Sequence, residues 1–314
     1  MGKIIVKVFA SAAWTIPILF SHPVFAEPSD LRPPSPNRLA AQTGSPPPLF
    51  EASLNSSYTL PGDAKVGGTK LGNSDAFELG LNVRGSTPID EKWMWLWGGR
   101  LQNIFLGSIA GAPIPERINT LNLNTGVGYR FNEHWMVNGF AGPTLYRFDN
   151  VSGDTVGFSG GVIAMYQANA VLTWTFGVMI APDSDVKAMP VLGVRWLIND
   201  QYTIELGIPK TRLSYLVDPK WTLYMGVDMV GTTFRTDENF GSNISSPRYN
   251  YNNTLATYWD IRLGAGVSCE ITKAFWAEIE AGGSVYRRID YSDLDQHVEF
   301  DPAPYVRLAL SLRF

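Results

Sequence analysis

The feature that most constrains this chain is a two-residue rhythm that runs from residue 50 to the end and restarts after each short polar turn. In FELGLNVR, Phe77, Leu79, Leu81 and Val83 alternate with Glu78, Gly80, Asn82 and Arg84. The same alternation sets Leu121, Leu123, Val127 and Tyr129 against Asn122, Asn124 and Arg130, and Trp259, Ile261 and Leu263 against Asp260 and Arg262. The final stretch, YVRLALSLRF, repeats it, with Val306, Leu308, Leu310, Leu312 and Phe314 opposite Arg307, Ser311 and Arg313. A period of two sends neighbouring side chains to opposite faces of a strand, so each segment has one apolar and one wettable side. A soluble sandwich and a membrane barrel both make such strands.

A second regularity separates them. RFNEHW, LINDQY, LVDPKW and EITKAFW each close one strand, make a short polar turn and restart on an aromatic residue. Repetition of this unit puts aromatic rings at one height, as in the girdle at a membrane interface. Longer polar connections lie between the tight turns, at 61–75, 107–117, 149–154, 236–253 and 292–302. Tight turns at one end and long loops at the other are the asymmetry of outer-membrane barrels. Counting strands with a turn hidden in GIPK, residues 207–210, gives an all-β transmembrane antiparallel barrel of about 14 strands. The hairpin over 202–217 is short, and if it sits at the rim the count falls to about 12.

The ends of the chain fit this reading. Lys3 and Lys7, an apolar run from Val8 to Phe20, and Val24-Phe25-Ala26 before Glu27 read as an export signal over residues 1–26. Residues 27–49 are proline-rich without periodicity and are expected to form a disordered periplasmic lead-in, with a lumenal plug as the alternative. The barrel is expected over 50–314. Its final strand, ending on Phe314, looks like the substrate of the outer-membrane barrel-assembly machinery, which reads a terminal aromatic. The expected location is the bacterial outer membrane, in contact with lipid and lipopolysaccharide.

Composition excludes several function classes. The net charge of −4 becomes −4 − 2 = −6 once Lys3 and Lys7 are removed, which argues against a nucleic-acid partner. The single Cys269 allows neither an internal disulfide nor a cysteine-based zinc site. The acidic loop SDLDQHVEFD, residues 292–301, lacks the ligand spacing of a calcium loop, so no metal or cofactor is expected. Beyond the signal, only His134 and His297 are available as histidine bases, in a turn and a loop at opposite ends of the expected barrel. No catalytic residues are assigned and an enzyme is not expected.

Function then rests on the wettable faces. Alternation places Glu78, Arg84, Arg100, Arg130, Arg195, Glu205, Arg212, Asp228, Asp260, Arg262, Glu278, Glu280, Arg288 and Arg307 inside. Buried unpaired charges cost several kcal/mol each, so these groups must meet water or one another. Either they line a passive or weakly selective pore for small polar solutes, or they pair simply to fill the lumen. The alternative to a pore is a non-conducting barrel acting through its external loops, with a lipid-modifying enzyme behind it.

LGIPKTRLSYLVDPKWTLYMGVDMVGTTFR (206–235), YWDIRLGAGV (258–267) and DPAPYVRLAL (301–310) resemble an uncharacterised domain-of-unknown-function family of Gram-negative outer-membrane barrels. The resemblance covers residues 50–314 and implies fold and location. It implies no substrate or reaction.

Overall fold

The computed structural model describes residues 50–148, 151–184, 186–244 and 249–314, so the expected export signal and proline-rich lead-in lie outside the described residues. The strands are β1 (Phe50–Val66), β2 (Thr69–Pro88), β3 (Trp93–Leu106), β4 (Arg117–Arg130) and β5 (Trp135–Leu145). They continue with β6 (Val156–Asn169), β7 (Leu172–Ile180), β8 (Ala188–Leu197), β9 (Tyr202–Gly207) and β10 (Lys210–Leu216). The series ends with β11 (Trp221–Arg235), β12 (Leu255–Glu270), β13 (Phe275–Tyr291), β14 (Gln296–Phe300) and β15 (Ala303–Arg313). All pair antiparallel in one closed sheet.

Fifteen segments make a fourteen-position barrel because β14 and β15 share one place, each lying between β1 and β13. Asp301 and Pro302 interrupt the ladder between them, and proline has no N–H to give to a neighbouring strand. The short β9–β10 hairpin is a full member of the ladder, so the twelve-strand alternative does not hold. The barrel closes where the chain ends meet. Phe50 and Phe314 exchange backbone hydrogen bonds of 3.3 and 3.0 Å.

The tight turns share one device. Asp90, Asn132, Asn199, Asp218 and Thr272 each accept the backbone N–H groups two and three residues on, the third belonging to Trp93, Trp135, Tyr202, Trp221 and Phe275 respectively. The side chain stands in for a backbone turn bond and fixes where the next strand starts. The N–H groups of Trp93 and Lys92 hold the Asp90 carboxyl below the usual carboxylate range. Because each restart is aromatic, rings meet side by side on the outer wall: Trp93 on Tyr129 at 4.5 Å, Trp135 on Tyr166 at 4.7 Å and Tyr202 on Tyr215 at 4.9 Å.

The opposite end departs from expectation. Residues 61–75 were expected as a polar loop, yet β1 and β2 run on through them and reverse at Gly67 and Gly68, both at positive φ. Two successive residues at positive φ suit a tight hairpin and favour glycine. Part of the expected loop 292–302 is likewise strand, as β14.

Candidate functional site

The outward face of the barrel carries Leu79, Leu81, Leu123, Phe176, Leu223, Leu263, Ile279 and Leu308, all exposed. The inward face carries the charges, and strands both adjacent and several positions apart bring most of them together. Arg262, Asp260, Glu78 and Ser284 form one group. Arg262 donates through Nη2 to Glu78 Oε2 at 2.9 Å and through Nε to Asp260 Oδ2 at 2.8 Å. Ser284 Oγ donates to the other Asp260 oxygen at 2.5 Å, and Gln102 Nε2 to the other Glu78 oxygen at 2.7 Å.

A second group adjoins the first, Arg262 standing 5.4 Å from the centroid of the Tyr305 ring. Arg307 Nη2 reaches Glu280 Oε2 at 2.8 Å, and Tyr305 donates its hydroxyl to Glu280 Oε1 at 2.5 Å. Arg307 and Arg212 share Glu278, each at 3.6 Å, and the Arg212 guanidinium carbon stands over the Tyr224 ring at 3.3 Å from its centroid. Two pairs stand apart, Arg195 with Glu205 at 3.7 Å and Arg84 with Glu51 at 2.7 Å. In cross-strand register Asp228 faces Arg262 on one side and Lys210 on the other. Arg130 is the last residue of β4, at the turn end and away from both groups.

One expected lumenal residue is on the other face. Ile261 faces Tyr286 while Arg262 faces Ser284, which leaves Val285 as an extra residue in β13. Such a bulge shifts the alternation by one. Arg287 therefore points inward, buried against the Phe300 ring with Nη2 donating to Ser74 O at 2.7 Å. Arg288 takes the outward register, where it is hydrogen-bonded to Asp290 two residues on. Sequence reasoning also left out Lys210, Tyr224 and Tyr305, although alternation puts each on the same face as an assigned residue of its own strand, and Glu51, which only the cross-strand register sets beside Arg84.

Space remains beside these groups. One cavity is lined by Asn55, Ser57, Glu78, Asn82, Arg84, Asp228, Arg262 and Arg307, and Arg100 stands at its edge. A second, lined by Gln102, Thr120, Asn122, Thr144, Ser159, Thr232 and Thr233, holds no charge except the same Arg100. At the loop end, in contrast, Ile104, Ile118, Phe234, Tyr251, Tyr258, Ile289, Tyr291 and Phe300 pack into an apolar cluster inside the barrel. Tyr291 ties it to an inward-folded loop by donating to Pro113 O at 2.9 Å.

Close packing of the second charged group requires Gly264. A β-carbon there would sit 2.2 Å from the Tyr305 hydroxyl oxygen. Gly264→Ala is expected to push Tyr305 off Glu280 and destabilise the barrel by about 1–3 kcal/mol. Adding Tyr305→Phe should recover part of that loss, read as coupling in a double-mutant cycle of urea unfolding.

Residues 54–314 match the model of a family described as a domain of unknown function, DUF6268. The chain belongs to this family. No curated protein sequence matches it. Among solved structures, this DUF6268 barrel is similar to the COG4313 outer-membrane channel from Pseudomonas putida F1, with 12% identity, TM-score 0.47, and 86% of this chain and 97% of that chain covered. It is also similar to a deletion mutant of the TodX monoaromatic hydrocarbon channel, with 10% identity, TM-score 0.48 and coverage of 89% and 95%. A third is a Pseudomonas aeruginosa FadL homologue, with 10% identity, TM-score 0.46 and coverage of 84% and 90%. At these identities the likeness concerns the fold alone.

Proposed function

We propose that this DUF6268 barrel is an outer-membrane channel for small solutes, with passage biased by its lumenal charges and with no covalent chemistry. The observation that carries this reading is that two lumenal cavities share Arg100 in their linings, one lined by charges and the other by hydroxyl and amide groups. Fixed charges facing a narrow aqueous passage set which ions and solutes enter it. The exposed apolar band supports contact with lipid and lipopolysaccharide. Phe314, closing the last strand onto Phe50, supports assembly by the barrel-assembly machinery.

The test is single-channel conductance of the mature chain, residues 27–314, in a planar bilayer, with selectivity taken from reversal potentials. Steady openings are expected, and Arg100→Ala should shift selectivity towards cations. A heat-modifiable barrel that never conducts would overturn the reading. The second reading, a closed barrel acting through its loops, is favoured by the apolar cluster that fills part of the loop end.

A further inference from the structure

Above the β9–β10 hairpin the ladder of the barrel is not continuous. β9 accompanies β8 only over Gly193–Leu197, and β10 stops accompanying β11 at the Lys210–Asp228 pair. The last bonds across the hairpin tip are Ile208 N–H to Leu192 O at 3.2 Å and Met229 N–H to Pro209 O at 3.1 Å. Beyond them, among the described residues, no strand is laddered between residues 188–191 of β8 and 230–235 of β11.

Past this point β11, still laddered to β12 as far as the Arg235–Leu255 pair, bends into the lumen. Thr232 Oγ1 lies 3.1 Å from Thr120 Oγ1 on β4, and Arg235 donates its N–H to Tyr146 O at 3.0 Å. β4 is seven positions from β11 in either direction round the barrel, so this contact spans the lumen. Burial tells the same story. Along the outward register, Val227 is 37% and Leu263 50% exposed, whereas Thr233 is 9%, Trp259 4% and Thr257 0% exposed. Both faces of these strand ends are covered. The β7–β8 connection takes part, since Ser184 Oγ lies 3.1 Å from Thr233 Oγ1. The wall here overlaps itself and meets through side chains.

The chemistry on the two sides of this seam is informative. Leu192 and Leu206 are exposed at its outer foot. On the inside, Phe140, Met179, Met189 and Val191 form an apolar cluster of their own, separate from the one at the loop end. Ser184 and Thr233 also line the cavity of hydroxyl and amide groups that Arg100 borders. A solute moving inward would meet apolar surface, then hydroxyl and amide groups, then charge.

We propose that this seam is a lateral entrance for small, mainly apolar solutes that carry one hydrogen-bonding group. The proposal rests on the channel reading and names its solute class and its door. A seam held by side chains and the backbone bond from Arg235 to Tyr146 can part without breaking a strand ladder, and the apolar cluster gives the solute a surface to leave the membrane for.

The test uses Ser184→Cys with Thr233→Cys in a Cys269→Ser background, in vesicles whose outer leaflet is lipopolysaccharide. Influx of the apolar dye N-phenylnaphthylamine is followed by fluorescence. Oxidising the pair should cut influx to the level of vesicles without the protein, and a reductant should restore it. Met189→Asp, which needs no cross-link, should slow influx as well. Equal influx in oxidised and reduced protein, or unchanged influx in Met189→Asp, overturns the proposal. A wild-type barrel that conducts ions but admits no dye overturns the entrance and leaves the channel standing. One that does neither overturns the channel itself.

Discussion

Arg262→Met is expected to lower the urea midpoint of the folded barrel more than any other single lumenal change. Arg262 is 4% exposed and bridges Glu78 and Asp260, whose side chains are 12% and 0% exposed. Removing one member of a buried ion pair costs about 3–5 kcal/mol, because the abandoned charge keeps its desolvation penalty. Here two carboxylates are abandoned at once, with Ser284, Gln102 and Ser57 left as neutral donors. Adding Asp260→Asn to Arg262→Met should recover part of the loss, since a neutral amide tolerates burial. Arg262→Lys should fall between, because a single ammonium cannot reach both carboxylates with a planar fork. A wild-type midpoint for Arg262→Met would show that this band is wet and its charges solvated.

Much of this was legible in the sequence, for reasons that can be stated. The alternation at Phe77 to Arg84 reports a face, and a face is a local property. The turn residues Asp218 and Asn199 report strand starts through hydrogen bonds that span only three residues. Pairing inside the lumen is different in kind. Arg262 finds Glu78 from 184 residues away, and that choice depends on the stagger of every strand between them. Arg288 went astray because one added residue inverts all that follow it. Gly282-Gly283 just before the bulge was its only local sign, since glycine inside a strand marks such sites. The seam also left a trace. The outward positions of β11 run Trp221, Leu223, Met225, Val227 and Met229, then turn to Gly231 and Thr233 where the strand bends inward.

Leu308→Arg is expected to destabilise the barrel in a bilayer by about 2–4 kcal/mol, the cost of a cation facing lipid near the midplane. Leu308 is 48% exposed in mid-strand, paired with Ser56 and Ile279, and has the equally outward Val306 two residues before it. Phe131→Arg supplies the contrast. Phe131 is 58% exposed at the turn end, packed edge-on against Tyr129 at 4.6 Å. Near an interface the charge reaches water, so its penalty should fall to about 0–1 kcal/mol beyond the lost ring contact. The comparison is made by urea unfolding in lipid vesicles and repeated at a second bilayer thickness. A thicker bilayer should raise the Leu308→Arg penalty and leave Phe131→Arg nearly unchanged. Equal, small effects at both positions would mean that water reaches the outward face at every depth. That result would remove the membrane from the argument, and with it the reason why an apolar wall surrounds a charged interior.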